Sequence, residues 1–322
     1  MKVVAWIVAL PVALLVAGAL ATLVVTSVLE SRYPPSGRFV DVPGGRLHLI
    51  ERGPPDAPVT ILLIHGASGN AADPVLALGD RLARSARVLA FDRPGHGWSD
   101  RIGGADAHSP ARQAAVLREG LRALGVERAV VVGHSWGGAA ALAMALDHPE
   151  AVSGLVLISP VSHPWPGGAV SWYIGPTTAD ILGTLFTRTL TAPLGLALLK
   201  PAEAAVFTPQ DPPADYVNRA RIPLVLRPRT FKANAEDIAH LHAFLTRQAP
   251  RYDAIRTPTT IIAGDVDRVV WTSIHARGLE RQIPGARLVV LPETGHMPHF
   301  AHAERVAAEI GRLVDAAVTA GR

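Results

Sequence analysis

Six short runs of apolar residues, each bounded by turn residues, recur along this chain of 322 residues. The runs cover residues 59–64, 88–91, 129–132, 154–158, 260–263 and 288–291. Segments with helical periodicity lie between or after them, at residues 74–85, 110–124, 139–146 and 303–318. Strands that are apolar on both sides are typical of a parallel sheet whose two faces are both covered. The alternation therefore predicts an α/β fold, with a mostly parallel central sheet and helices on both faces.

The N-terminal segment has a different character. Between Lys2 and Glu30 lie 27 residues without a charge. A helix needs about 20 apolar residues to cross the hydrocarbon core of a bilayer, so we expect residues 1–31 to form a single transmembrane anchor. The alternative is a signal sequence cleaved after the A-L-A at residues 19–21. The apolar run continues beyond that site, which favours the anchor.

The side of the membrane on which the rest of the chain lies is set by flanking charges. Lys2 and the amino terminus favour a cytoplasmic N-terminus, whereas Arg32 and Arg38 favour the opposite orientation. We expect an extracytoplasmic folded domain.

Composition excludes several other classes of protein. The net charge is +4, but the basic residues are scattered and no run of five or six Lys or Arg occurs, so nucleic-acid binding is not expected. The chain has no cysteine, which excludes disulfides, thiolate metal sites and a cysteine nucleophile. No cofactor is predicted, and nothing in the sequence indicates the oligomeric state.

Residues 161–251 interrupt the alternation of strands and helices. This stretch is rich in proline and holds two of the six tryptophans and two of the four tyrosines. We interpret it as a helical cap over one edge of the sheet, inserted between a first core segment (32–160) and a second (252–322). Its uncharged part is interrupted by prolines and glycines, so we do not expect a second membrane span. Candidates to contact a substrate are Ser68 in the core and, in the cap, His163, Trp165, Trp172 and Tyr173.

The pentapeptide Gly133-His134-Ser135-Trp136-Gly137 fits the pattern G-x-S-x-G and lies between an apolar strand and an alanine-rich helix. A serine at such a sharp turn projects from the sheet edge above a helix N-terminus, whose free amides stabilise an anion. Serine needs a base, and the base needs an acid. In this architecture the acid and then the histidine follow the serine along the chain. Asp265, Asp267 and His296 come just after later strands, at the same edge as Ser135.

At this point the chain resembles the α/β-hydrolases from about Arg38 to its end. The motifs that carry the resemblance are H-G-A-S-G-N (65–70), F-D-R-P-G-H-G-W-S-D (91–100), G-H-S-W-G-G (133–138), G-D-V-D-R-V-V (264–270) and G-H-M-P-H-F (295–300). The resemblance implies that Ser135 attacks a carbonyl and that His296 is the base. It selects Asp267 rather than Asp265 as the acid. It also implies an oxyanion hole made by the backbone amides of Ala67 and Trp136.

Two other readings of these motifs are less well supported. His296, His299 and His302 are spaced by three, but Pro298 opposes a regular helix and a metal-bound His296 is unable to act as a base, so no metal site is predicted. Haloalkane dehalogenases and epoxide hydrolases resemble this chain and often carry G-H-D-W-G at the elbow. Attack on an alkyl carbon by Ser135 instead of an aspartate gives an ether, which is not turned over. Ser135 therefore favours acyl chemistry.

The sequence thus predicts a membrane-anchored serine hydrolase, similar to carboxylesterases and lipases, that acts on a lipophilic small-molecule acyl substrate. The same triad also serves C–C bond hydrolases, cofactor-free haloperoxidase-like perhydrolases and acyltransferases, and these remain open. A different class of function, a ligand-binding receptor with little turnover, is distinguished from all of them by a turnover assay.

Overall fold

The computed structural model describes residues 2–167 and 171–320 and is organised around one eight-stranded sheet. The strands are β1 (Arg38–Val42), β2 (Gly45–Arg52), β3 (Thr60–Ile64), β4 (Arg87–Phe91), β5 (Ala129–His134), β6 (Val152–Ile158), β7 (Thr259–Gly264) and β8 (Arg287–Leu291). Their order across the sheet is β1-β2-β4-β3-β5-β6-β7-β8. The pairs β1/β2 and β2/β4 are antiparallel and all other pairs are parallel.

Helices precede, connect and follow the strands. They are α1 (Lys2–Arg32), α2 (Ala72–Pro74), α3 (Asp80–Leu82), α4 (Pro110–Ala123), α5 (Trp136–Asp147), α6 (Ile174–Thr178), α7 (Asp180–Thr189), α8 (Thr191–Phe207), α9 (Tyr216–Arg219), α10 (Pro228–Ala239), α11 (Leu241–Gln248), α12 (His275–Gln282), α13 (Pro298–Ala301) and α14 (Ala303–Ala320). A π-helical turn, Val75–Gly79, joins α2 to α3.

Side chains of each central strand alternate between two apolar layers, one on each face of the sheet. Leu62 and Ile64 of β3 pack in the layer that contains the buried face of α5. Ile61 and Leu63 of the same strand pack in the layer that contains α14. All five residues of β3 are buried, because both faces of the sheet are covered. The predicted fold, a mostly parallel sheet between helical layers, is confirmed.

Between β6 and β7 the described residues are helical or irregular, and they contain α6 to α11. This stretch, which we call the cap, lies across the carboxyl ends of the parallel strands. Its helices α7 and α8 also contact α1. Residues Ala9–Arg32 of α1 are long and apolar enough to cross a membrane, and most of this stretch is exposed.

Candidate active site

Ser135 lies at the sharp turn between β5 and α5. Its backbone has φ 53° and ψ −119°, a conformation that is strained for a residue with a side chain. The turn is tight because the neighbouring chain approaches closely. A Cβ at Gly137 would overlap the carbonyl oxygens of Ile64 and His65, and one at Gly66 would lie 3.2 Å from the Cβ of Ser135. Glycine at these positions allows β3 and its following loop to pack against the elbow.

His296 and Asp267 meet at the same edge of the sheet. Nδ1 of His296 lies 2.8 Å from Oδ2 of Asp267, and both side chains are buried. The other carboxylate oxygen of Asp267 accepts hydrogen bonds from the amides of Val269 (2.8 Å) and Val270 (2.9 Å). Burial alone would raise the pKa of Asp267, but His296 and these two amides together hold it below its ordinary value. Asp267 is therefore an anion that fixes the orientation of the imidazole.

Asp265, the other carboxylate of this loop, has a different environment. It is exposed, and its Oδ1 accepts a hydrogen bond from the amide of Thr294 at 3.2 Å. Asp265 thus ties its loop to the loop that carries His296. The structure brings Asp267, and not Asp265, into contact with the imidazole.

Ser135 and His296 line a common cavity. Among the residues that the structure describes, the Ser135 side chain makes no hydrogen bond to His296. Such contacts are often long in unliganded enzymes and shorten when a substrate binds.

The amides of Ala67 and Trp136 are available for an oxyanion. Within the described ranges, neither amide donates a hydrogen bond to another group of the protein. The carbonyl of Gly66 is held by Nδ1 of His65 at 2.8 Å and by the Arg93 guanidinium at 3.3 Å. Because the N–H and C=O of one trans peptide point in opposite directions, fixing this carbonyl fixes the direction of the Ala67 amide.

A buried charge network lies behind the elbow and accounts for Trp136. The guanidinium of Arg93 is 3.9 Å from the centre of the indole ring, and the indole nitrogen donates to the carbonyl of Asp237 at 3.2 Å. Arg93 donates to the carboxylate of Asp237 and to the side chain of Gln113, each at 2.7 Å. Asp237 belongs to α10 of the cap. The Trp136 side chain therefore joins the elbow to the cap and does not line the cavity.

The cavity above Ser135 has a volume of about 450 Å³ and is lined mainly by apolar side chains. Of the predicted substrate contacts, Ser68, Trp172 and Tyr173 line it. Ser68 is also joined to the cap, because its amide donates to Oδ1 of Asn234 at 2.7 Å.

His163 and Trp165 lie outside the cavity, so their prediction as substrate contacts is not supported by their positions. Nε2 of His163 is 2.8 Å from the side-chain oxygen of Gln282 on α12. Trp165 packs edge-on against His275, with ring centres 5.2 Å apart. Both side chains therefore contact α12.

Two titratable groups next to Ser135 and His296 were not predicted as site residues. Asp73 is buried, lines the cavity and accepts a hydrogen bond from the Tyr216 hydroxyl at 2.8 Å. Burial raises the pKa of Asp73 to about 6. His134 lies 3.1 Å from the carbonyl of His296 through Nε2, and burial lowers the pKa of His134 to about 3. Neutral His134 therefore donates this hydrogen bond and holds the backbone of His296. No local sequence signal marks Asp73, because its partner Tyr216 comes from the cap.

The groups that come nearest to a metal-ligand set, in the described part of the chain, are Asp73, His134 and His299. Their potential ligand atoms lie within 4.8 Å of one another. The carboxylate of Asp73 and Nε2 of His134 already have hydrogen-bond partners within the protein. The triplet His296, His299 and His302, for which the sequence predicts no metal site, is not brought together, since Nε2 of His302 faces the Thr294 hydroxyl at 2.9 Å. The absence of a metal in the reaction stays a prediction.

Comparison with known proteins identifies the family. A family model described as alpha/beta hydrolase fold matches residues 59–303. The chain is 32% identical over 297 residues to 2-hydroxymuconate semialdehyde hydrolase of Pseudomonas putida, an alignment that covers 88% of this chain and 94% of the relative.

Solved structures show the same fold. Est816, described as an N-acyl homoserine lactone degrading enzyme, is similar with a TM-score of 0.63 and 25% identity over 85% of this chain and 98% of its own. A membrane phospholipase A, described as a novel bacterial virulence factor, is similar with a TM-score of 0.66 and 24% identity over 98% of this chain and 99% of its own. With its eight-stranded sheet, its strained serine elbow and these relatives, the chain belongs to the α/β-hydrolase family.

Proposed function

We propose that the protein is a membrane-anchored serine hydrolase that cleaves an ester bond of a lipophilic small molecule. The observation that carries this proposal is that Ser135 and His296 face one mainly apolar cavity, with His296 hydrogen-bonded to Asp267 on its other side.

The geometry supports the following sequence of steps. Oγ of Ser135 attacks the ester carbonyl while Nε2 of His296 accepts its proton. The amides of Ala67 and Trp136 hold the oxyanion, and such donors typically contribute several kcal/mol of transition-state stabilisation. His296 then gives the proton to the departing alkoxide, leaving an acyl group on Ser135. A water molecule, deprotonated by His296, attacks this acyl-enzyme, and the acid leaves as His296 returns that proton to Oγ of Ser135.

The cavity favours an uncharged, lipophilic substrate. Within the described residues, its lining contains no lysine or arginine, and its carboxyl groups are those of Asp73 and Glu203. An anionic substrate would lack a cationic partner there and would lose its hydration. Apolar side chains such as Leu194, Leu198 and Phe186 instead suit an acyl chain.

A second candidate is C–C bond hydrolysis, which the 32% identity to the semialdehyde hydrolase favours. The substrate named for that relative is a carboxylate. The lining just described makes a carboxylate a poor ligand for this cavity, so we place ester hydrolysis first.

The anchor is part of the same proposal. We propose that α1 remains attached, crosses the membrane and leaves the catalytic domain on the extracytoplasmic side. Mass measurement of the N-terminal peptide from membranes tests the attachment. Recovery of a mature chain that begins near residue 22 would show a cleaved signal sequence instead.

The proposed activity is tested with p-nitrophenyl esters of increasing acyl length and full-length protein in mild detergent. Wild type is compared with Ser135→Ala. Both proteins are also assayed with a 2-hydroxy-6-oxodienoate, the substrate for C–C bond hydrolysis. We expect ester hydrolysis with an optimum at medium or long chains, loss of hydrolysis in Ser135→Ala, and covalent labelling of wild-type Ser135 by a fluorophosphonate.

Each other outcome has a distinct meaning. Faster turnover of the dienoate would replace the ester assignment by C–C hydrolysis. Absence of turnover together with an unreactive Ser135 would favour a ligand-binding receptor.

A further inference from the structure

We propose that cap helices α7 and α8 enter the membrane beside α1, from the side on which the catalytic domain lies. The substrate is then an acyl lipid that reaches the cavity directly from the bilayer. This inference rests on the proposed function, because it takes α1 as a membrane span and the cavity as an ester-hydrolysis site.

The first observation is an apolar surface on the outside of the cap. We call it the apolar cap surface, and it consists of Ile181, Leu182, Leu185, Leu190 and Leu196. Ile181 is 85% exposed and Leu182 is 68% exposed. Single exposed apolar residues are common, but a continuous set on two successive helices indicates an interaction site.

The second observation is that this surface is continuous with α1. A Cβ at Gly18 would lie 2.6 Å from the carbonyl oxygen of Thr189, at the junction of α7 and α8. Further along the same face of α1, Thr22 and Leu29 are buried. Near its end, Glu30 pairs with Arg227 of the cap at 3.1 Å. The spacing of residues 18, 22 and 29 is that of one helix face, so α1 packs along the cap over several turns.

The depth of this contact follows from the sequence. A span of about 20 residues placed anywhere within the charge-free residues 3–29 includes Gly18. In these placements Gly18 lies 4 to 11 residues from the end nearest the domain, which is about 6–17 Å at the rise of an α-helix. Thr189 touches Gly18, so the α7–α8 junction lies at the same depth. Because the hydrocarbon core is about 30 Å thick, the junction is inside it wherever the span is placed.

The shape of the helix pair agrees with this position. The axes of α7 and α8 meet at 70°, and the two helices together have the length and composition of a broken span or a re-entrant segment. Helices that enter a membrane and leave on the same side need this kind of bend.

The charges near this surface are compatible with the proposed position. Arg188 is exposed and stands next to the junction, Asp180 begins α7 at its outer end, and Lys200 lies just past the middle of α8 and is exposed. A long arginine side chain reaches lipid phosphates from several ångströms below them. The position of Arg188 therefore favours the shallow end of the depth range, from which its guanidinium reaches the phosphates.

The opposite side of α8 connects the membrane to Ser135. Leu194 and Leu198 line the cavity and are 48% and 50% exposed, so they form part of its rim. One helix therefore contacts lipid with its outer side and the cavity with its inner side. A lipid acyl chain can therefore move from the bilayer into the cavity along α8 without crossing water.

The membrane position is tested with full-length protein in phosphatidylcholine vesicles. The chain has no cysteine, so Leu182→Cys, Leu196→Cys and the control Glu127→Cys each give a single site for an environment-sensitive fluorophore. Glu127 precedes β5 at the edge of the sheet opposite the cap, and its side chain is 78% exposed. We expect nitroxide-bearing lipids to quench the labels at 182 and 196, and iodide not to quench them. At 127 we expect iodide to quench the label and the nitroxide-bearing lipids not to.

Two outcomes would overturn the proposal. Iodide quenching at 182 and 196 equal to that at 127 would place the apolar cap surface in water. Protection from both quenchers would show that a second copy of the chain covers it.

An activity measurement tests the lipid route separately. Leu182 and Leu196 do not line the cavity, so Leu182→Asp should leave hydrolysis of a soluble short-chain ester unchanged. It should lower hydrolysis of an ester embedded in vesicles about tenfold, because a carboxylate is costly in hydrocarbon. Leu182→Ile is the matched control and should behave as wild type. An equal ratio of the two rates in all three proteins would refute the lipid route. Failure of wild type on both esters would refute the proposed function, while the quenching result would still stand.

Discussion

The buried carboxyl of Asp73 provides a quantitative test of the site's electrostatics. Asp73 faces the cavity, and burial raises its pKa from 3.8 to about 6, with the Tyr216 hydroxyl partly opposing the shift. The folded protein therefore binds this proton more tightly than the unfolded chain. The associated stability is fully present below pH 3.8 and is lost as the pH rises through 6. At 1.36 kcal/mol per pKa unit, burying this group costs about 3 kcal/mol at pH 7.5, where it is ionised. The cost is about 1.5 kcal/mol at pH 5, where folding requires the uptake of a proton.

Asp73→Asn removes this titration and keeps an oxygen that accepts the Tyr216 hydrogen bond. We expect the variant to exceed wild type in free energy of unfolding by up to about 3 kcal/mol at pH 7.5, and by about 1.5 kcal/mol less at pH 5. Urea unfolding followed by tryptophan fluorescence, in mild detergent at both pH values, measures the difference. Asp80→Asn is the control, since that side chain is 94% exposed.

A constant difference between variant and wild type at the two pH values would refute the reasoning. So would a variant that is less stable than wild type at pH 7.5, because the carboxylate would then be better solvated than its burial implies.

Three further predictions concern neighbouring groups. Asp267→Asn should lower kcat by about 10⁴-fold, the loss seen when a triad acid is neutralised. Asp265→Asn should change kcat less than about threefold. If ester kinetics gave the opposite ranking, Asp265 would be the acid. Arg93→Met should lower the free energy of unfolding by up to about 3 kcal/mol, because Asp237 loses one buried ionic partner and keeps Arg101 at 2.8 Å. A loss below about 1 kcal/mol in urea unfolding would contradict this. His134→Phe should lower kcat with little change in KM, since the carbonyl of His296 loses a hydrogen bond of about 1–3 kcal/mol. An unchanged kcat would show that other contacts hold the loop that carries His296.

Much of the site follows from sequence patterns because its groups stand at fixed places relative to strands. Ser135, Asp267 and His296 each come just after a strand, and parallel strands bring their carboxyl ends to one edge. The choice of Asp267 over Asp265, in contrast, came from the resemblance. Only the loop geometry shows why, since Asp265 turns to the Thr294 amide.

The cap was harder to predict in detail. The sequence predicts substrate contacts for four aromatic residues of the cap. Trp172 and Tyr173 line the cavity, whereas His163 and Trp165 pack toward α12. Aromatic side chains serve the cavity and the core equally well. The direction of the connecting chain decides between them, and no local pattern encodes that direction.

By itself, the sequence determined the sheet, the elbow and the apolar N-terminal helix, since each depends on local periodicity or on residues that a tight turn requires. The tertiary structure decided how Asp73 meets Tyr216, how Arg93 joins Trp136 to Asp237, and how α7 and α8 lie against α1. These contacts join segments far apart in the chain. Their energies depend on burial and on distances between partners, and only the folded chain sets those quantities.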